Sequence, residues 1–127
     1  MSSHTCPCCS GKPYDDCCGP FLNRTAIAKT AKQLMRSRYT AYALGGYGTY
    51  LLDTWHPAAT TGLTAETLST KALNWQGLKV LHFKQTGDES VVEFEAQYID
   101  GDGDSGLHHE TSRFVRLHGK WLYVGST

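Results

Sequence analysis

Residues 91–98 read VVEFEAQY. Val92, Phe94, Ala96 and Tyr98 alternate with Glu93, Glu95 and Gln97, the pattern of a strand with one face in a core and the other in water. The alternation continues on both sides. Upstream, Leu78, Val80 and His82 alternate with Lys79, Leu81 and Phe83, and Gly87-Asp88 marks the turn between the two segments. Downstream, a third strand is expected over 107–117, and His118-Gly119 turns it into a fourth over 120–124. This period of two begins only after Asn74. Before it the spacing is helical. Thr30 and Gln33 form a capping box for a helix over 31–44, which Gly45-Gly46 ends. Tyr47, Tyr50, Leu51 and Trp55 give a second helix over 47–55, stopped by His56-Pro57. A third, shorter helix starts at Thr64, with Leu63 and Leu68 as a hydrophobic staple and Glu66 in its positive first turn. Three helices followed by a four-stranded antiparallel meander make the chain α+β.

Two features inside this pattern stand out. Arg38 falls within the apolar stripe of the first helix, four residues from both Leu34 and Tyr42. A charge on the core side of a helix needs a carboxylate partner or a path to solvent, and Glu110 is the expected partner. The loop Asp100-Gly-Asp-Gly-Asp-Ser-Gly106 resembles the start of a calcium loop. Ser105 and Thr111 stand where such a loop needs Gly and Glu, so a solvated hairpin loop is expected. The histidines, His4, His56, His82, His108, His109 and His118, show no metal-ligand spacing.

All five cysteines lie in Cys6–Cys18, reading CPCCSGKPYDDCC. Two pairs, Cys6 with Cys8 and Cys17 with Cys18, can surround one ion tetrahedrally, as zinc prefers. Ser10-Gly11 is the turn that folds the pairs together. A segment this short builds no core, so binding energy doubles as folding energy. A closed site of four thiolates leaves no position for water, and the zinc is expected to be structural. Residues 19–29 are expected to link this knuckle to the rest, with Phe21 and Leu22 tucking the knuckle against the main domain.

The chain is 127 residues long, with 12 basic and 12 acidic side chains and a formal net charge of zero. That balance makes nucleic acid an unexpected partner, because such surfaces carry a strong basic stripe. No apolar run is long enough to span a bilayer, and no apolar signal region precedes Cys6, so a cytoplasmic protein is expected.

The string CPCCSGKPYDDCCG resembles the SEC-C zinc motif, first known from the tail of the bacterial preprotein translocase motor. The resemblance places the ligands on Cys6, Cys8, Cys17 and Cys18 and leaves Cys9 as a fifth, non-ligating thiol. With LMRSRYTAY (34–42), TWHP (54–57) and ETSRFVRLHGKWLYV (110–124), the chain resembles the YchJ family of bacterial proteins. The resemblance implies a knuckle over residues 1–22. It also implies a nuclear-transport-factor-two-like (NTF2-like) domain over 23–127, a curved sheet wrapped around helices to leave a cone-shaped cavity.

Two functions follow as expectations. The first is a zinc-binding adaptor, whose knuckle recognises a protein partner while the cone serves as scaffold. The second is a small-molecule-binding protein or acid–base enzyme using the cone pocket. Its candidate liners are Arg38, Trp55, Trp75, His82, Tyr98, Glu110 and Arg113. The facing of the third strand stays open, because Glu110, Ser112 and Phe114 share one face while Thr111, Arg113 and Val115 share the other.

Overall fold

The computed structural model describes residues 5–69 and 73–126. Its element order is the one the two periodicities dictate. Helix α1 (Gly19–Leu22) is followed by α2 (Ala31–Leu44), α3 (Gly48–Asp53) and α4 (Ala65–Ser69). The strands β1 (Asn74–Thr86), β2 (Glu89–Ile99), β3 (Ser105–Leu117) and β4 (Lys120–Ser126) then pair in chain order, each antiparallel to the next. The sheet is curved, and the α+β class is as expected. No helix among the described residues is long and apolar enough to cross a membrane.

Helix α2 begins where its cap predicts. Thr30 Oγ1 accepts from the Gln33 backbone N–H at 3.1 Å, while Gln33 Oε1 accepts from the Lys29 N–H at 2.8 Å. The reciprocal bond of the capping box therefore closes one residue before the cap. Further along, α2 is buried on several sides. Leu34, Met35 and Tyr39 join Leu78, Val92, Phe94, Ala96, Phe114 and Trp121 in the main core. Ala41 turns instead toward Leu22, Tyr50 and Leu51 in a second cluster. Leu22 is the end of α1, so the stretch expected to be a linker is a helical turn packed under the domain.

Helix α3 is shorter than the spacing predicts. Thr54, Trp55 and His56 leave the helix to pair with β4: Tyr123 N–H donates to the Thr54 carbonyl and His56 N–H to the Tyr123 carbonyl, both at 2.8 Å. Sheet pairing here outcompetes one more turn of helix. At its other end α3 packs closely on α4. A Cβ at Gly48 would lie 1.7 Å from the Ala65 carbonyl oxygen, so only glycine fits.

The sheet's inner face carries Ser90, Val92, Phe94 and Ala96 of β2 and Ser112 and Phe114 of β3, all buried. Strand β1 departs from strict alternation. Its register shifts between Val80 and His82, so Val80 lies opposite Phe94 whereas His82 lies opposite Glu93. The bulge at Leu81 moves His82 to the outer face and brings Phe83 opposite Val92. The hairpin loop after β2 is satisfied internally: Asp100 Oδ1 accepts from the N–H groups of Asp102 and Asp104 at 2.9 and 3.0 Å.

Candidate functional site

Two clusters carry chemistry. In the first, a 3-10 turn over Tyr14–Asp16 returns the chain so that Cys17 and Cys18 meet Cys6 and Cys8. The four Sγ atoms all lie within 4.8 Å of one another, with Cys8–Cys17 at 3.6 Å and Cys17–Cys18 at 4.0 Å. Metal–sulfur bonds of about 2.3 Å in a tetrahedron need sulfurs about 3.8 Å apart. The cluster is therefore compatible with a metal site of four thiolates.

The thiols hold their protons unequally. A hydrogen bond from Cys18, and then bonds from Ser10, Cys6 and Cys17, bring the Cys8 thiol down to about 4 against the effect of burial. The bond to Cys8 and burial push Cys18 up, and burial pushes Cys17 up. Four thiols this close cannot all ionise without a cation among them.

Cys6, Cys8 and Cys18 are buried in the same core as Leu34 and Met35, while Cys17 is half-buried. The knuckle is also tied to α2 by polar contacts. Arg36 Nη1 donates to the Cys8 carbonyl at 2.6 Å, and Cys6 Sγ lies 3.7 Å from Thr40 Oγ1. Cys9 stands apart from the four. It is exposed, has a φ of 62°, and its sulfur accepts from the Leu78 N–H at 3.4 Å.

The second cluster lines a cavity of about 350 Å3 between α2 and the inner face of the sheet. Met35, Tyr39 and Tyr42 come from α2, Trp55 from the segment paired with β4, and Trp75 from β1. Phe94 of β2, His108, Glu110 and Ser112 of β3, and Tyr123 of β4 close the other side. Arg38 is only 5% exposed, and its guanidinium reaches this wall. Nη1 donates to the Leu51 carbonyl and to Thr54 Oγ1, both at 2.7 Å. The guanidinium carbon lies 4.8 Å from the Trp55 ring centre and 4.7 Å from that of Tyr123. Burial lowers the Arg38 pKa, and the nearby phenols of Tyr42, Tyr123 and Tyr50 counteract this, with a smaller contribution from Glu110.

Glu110 does not pair with Arg38, which corrects the expected ion pair. It is held instead by its own strand and its neighbour. Ser112 Oγ and Tyr123 OH, the latter at 2.9 Å, both donate to Oε2, and His108 Nε2 lies 3.1 Å from Oε1. Burial alone would raise the Glu110 carboxyl. The bonds from Ser112, Tyr123 and His108 outweigh it and hold the group below the ordinary carboxylate value. Burial, followed by the Glu110 charge, pushes the Tyr123 phenol up, and burial raises Tyr39 to about 12.

Of the sequence candidates, Arg38, Trp55, Trp75 and Glu110 meet at the cavity. Tyr98 stands behind it, its ring 5.5 Å from that of Trp75 and lying over Gly106, where a Cβ would fall 2.4 Å from the Tyr98 ring. His82 and Arg113 lie outside. His82 is displaced by the bulge in β1, and Arg113 points from the opposite face of β3 to Glu110. Sequence reading missed Tyr42, His108, Ser112 and Tyr123. The parity of β3 would have supplied His108 and Ser112 once Phe114 was known to face inward.

Comparison with known proteins agrees with this architecture. The family described as YchJ, middle NTF2-like domain, matches residues 30–126. A UPF0225 protein of Ralstonia nicotianae is 46% identical over 129 residues, covering 94% of this chain and 88% of that one. A UPF0225 protein of Sodalis glossinidius is 41% identical over 124 residues, covering 94% and 80%. The solution structure of RPA3114, a SEC-C motif containing protein from Rhodopseudomonas palustris, superposes with a TM-score of 0.88 at 36% identity, covering 98% of each chain.

Proposed function

Since this chain belongs to the YchJ family, with the family's NTF2-like domain over residues 30–126, we propose that it binds a small organic ligand in its cone, braced by a structural zinc knuckle. The observation that supports the reading best is the wall of the cavity: a buried guanidinium and a tethered carboxylate set among aromatic rings. Small-ligand sites have this composition, mostly apolar with few and fixed polar groups.

The same geometry favours binding over acid–base catalysis. A general base must be free to take a proton, and Glu110 already accepts from Ser112 and Tyr123 and lies within hydrogen-bond reach of His108. Zinc is the ion we assign to the cysteines, because four thiolates in a closed tetrahedron are its structural ligand set. Cys6, Cys8, Cys17 and Cys18 would hold it, and it would contribute folding energy rather than chemistry. Native mass spectrometry of freshly purified protein tests both parts. One zinc per chain and a co-purifying small molecule are expected. A metal-free chain, or a cavity that retains nothing and takes up nothing from a fragment library, would sink the corresponding part.

A second reading, recognition of a protein partner through the knuckle, draws on the exposed side of that segment. Lys12, Asp15 and Asp16 are exposed there, and neither aspartate pairs with a basic side chain among the described residues. Changing Asp15 and Asp16 to lysine should abolish partner capture on this reading and leave the cone ligand in place. Unchanged capture would count against it.

A further inference from the structure

We infer that the ligand of the cone is a small planar carboxylic acid, with its carboxylate on Arg38 and its ring against the aromatic wall. This rests on the ligand-pocket reading above and adds the chemical class.

The cone holds a buried charge with no contacting counter-ion among the described residues. Arg38 is 5% exposed, yet the groups bonded to its Nη1 are the Leu51 carbonyl and the Thr54 hydroxyl, both neutral. The rings of Trp55 and Tyr123 cover the guanidinium and supply only their π faces. Among the described residues no carboxylate forms an ion pair with it. Glu110 lies close enough to act through its field, but its oxygens are engaged by Ser112, Tyr123 and His108. A buried cation without a contacting counter-ion is unfavourable, and an anion delivered by the ligand relieves it.

The shape of the site narrows the class. A guanidinium edge matches a carboxylate, which takes two parallel hydrogen bonds in one plane. At about 350 Å3 the cavity stands at the small end of ligand pockets. Trp75 and Phe94, which also line the cavity, offer flat apolar surface for a ring. A doubly charged, heavily hydrated phosphate fits such a wall poorly, and an amine would meet Arg38 with like charge.

Three isosteric probes test the inference on the full chain: 2-naphthoate, 2-naphthamide and 2-naphthylmethylamine. Side-chain N–H resonances of Arg38, Trp55 and Trp75 report occupancy by nuclear magnetic resonance. Naphthoate is expected to move all three and to bind at least about tenfold tighter than the amide, because a charge-assisted pair is roughly twice as strong as a neutral one. The amine is expected to be the weakest. If the amide or amine moves the indole signals with equal or greater affinity, the carboxylate inference falls and the pocket reading stands. If none of the three moves them, the inference falls, and the pocket reading is decided separately by the co-purification test. Arg38→Gln should reduce naphthoate to the affinity of the amide, and Arg113→Gln, on the outer face, should leave it unchanged. Should Arg38→Gln fail to fold, the ranking on the unmodified chain decides alone.

Discussion

In the knuckle, four like groups are drawn together until their sulfurs nearly touch, and they share protons unequally. In the cone, Arg38 and Glu110 sit in one cavity wall but are kept out of contact, each held by hydrogen bonds to other neighbours. The first arrangement calls for a cation from outside. The second holds its own charges in place, and its residual demand falls on the Arg38 side alone. Two buried polar clusters in one small chain thus meet desolvation by different means, one with a thiol set that fits a metal ion and one with hydrogen bonds and π faces.

The largest effect should come from attacking the knuckle. Cys6, Cys8 and Cys18 share a core with Leu34 and Met35. Chelation is therefore expected to lower the melt of the whole chain by about 10 °C or more, not only to loosen residues 6–18. Calorimetry with and without chelator checks this. An unshifted melt would mean that the segments 1–22 and 23–127 are energetically separate, and the contrast drawn above would then be between two modules.

Next comes Arg38→Ala, expected to destabilise by about 3 kcal/mol in urea titration. It strands the Leu51 carbonyl and leaves a cavity beside Trp55. Little change would show that the guanidinium is not an organising group of the cone.

A smaller effect concerns acid. The Glu110 pKa is depressed in the fold below its ordinary 4.5. Its contribution is therefore fully present above pH 4.5 and is lost as pH falls from there through the folded value. Glu110→Gln should flatten the stability–pH profile in that acidic window and leave it unchanged in shape near neutrality. A profile identical to that of the parent chain would remove Glu110 as a held carboxylate. The smallest effect is expected of Cys9→Ser, which should leave metal content unaltered and stability within about 0.5 kcal/mol. Loss of metal there would mean that the cluster uses a different four of its five thiols.

The two regions also differ in how readily a sequence discloses them. The thiol cluster is contiguous: a turn at Ser10-Gly11 and thirteen residues contain the whole arrangement. Helix α2 and strand β2 were equally legible, because a cap and strict alternation are local signals. The cavity is assembled from α2, the segment after α3, and all four strands. Tyr123 reaches Arg38 only because 54–56 pairs with β4, a contact between residues nearly seventy apart in the chain. Nothing near Tyr123 in sequence announces that pairing. The facing of β3 was undecidable for a related reason: both of its faces carry a charge and an apolar group, so only the neighbouring strands fix which side is inward.

The bulge at Leu81 has a larger reach than the displacement of one histidine. A strand is read in a frame of two, and one supernumerary residue changes the frame for everything beyond it. Strand β1 shifts register twice, between Trp75 and Gly77 and between Val80 and His82, and is thus three short messages in succession. The second sends Leu78 and Val80 inward; the third puts Phe83 on the same face but at its exposed end, where the Lys32 ammonium of α2 sits 4.6 Å from its ring centre. With a single frame, that lysine would have met an imidazole on the inner face, and a phenyl ring would have projected from the outer one. Straightening the strand with Leu81 kept would therefore act as a frameshift in three dimensions and exchange the two faces of its far end, whereas removing Leu81 would delete the bulge and leave His82 opposite Glu93 and Phe83 opposite Val92.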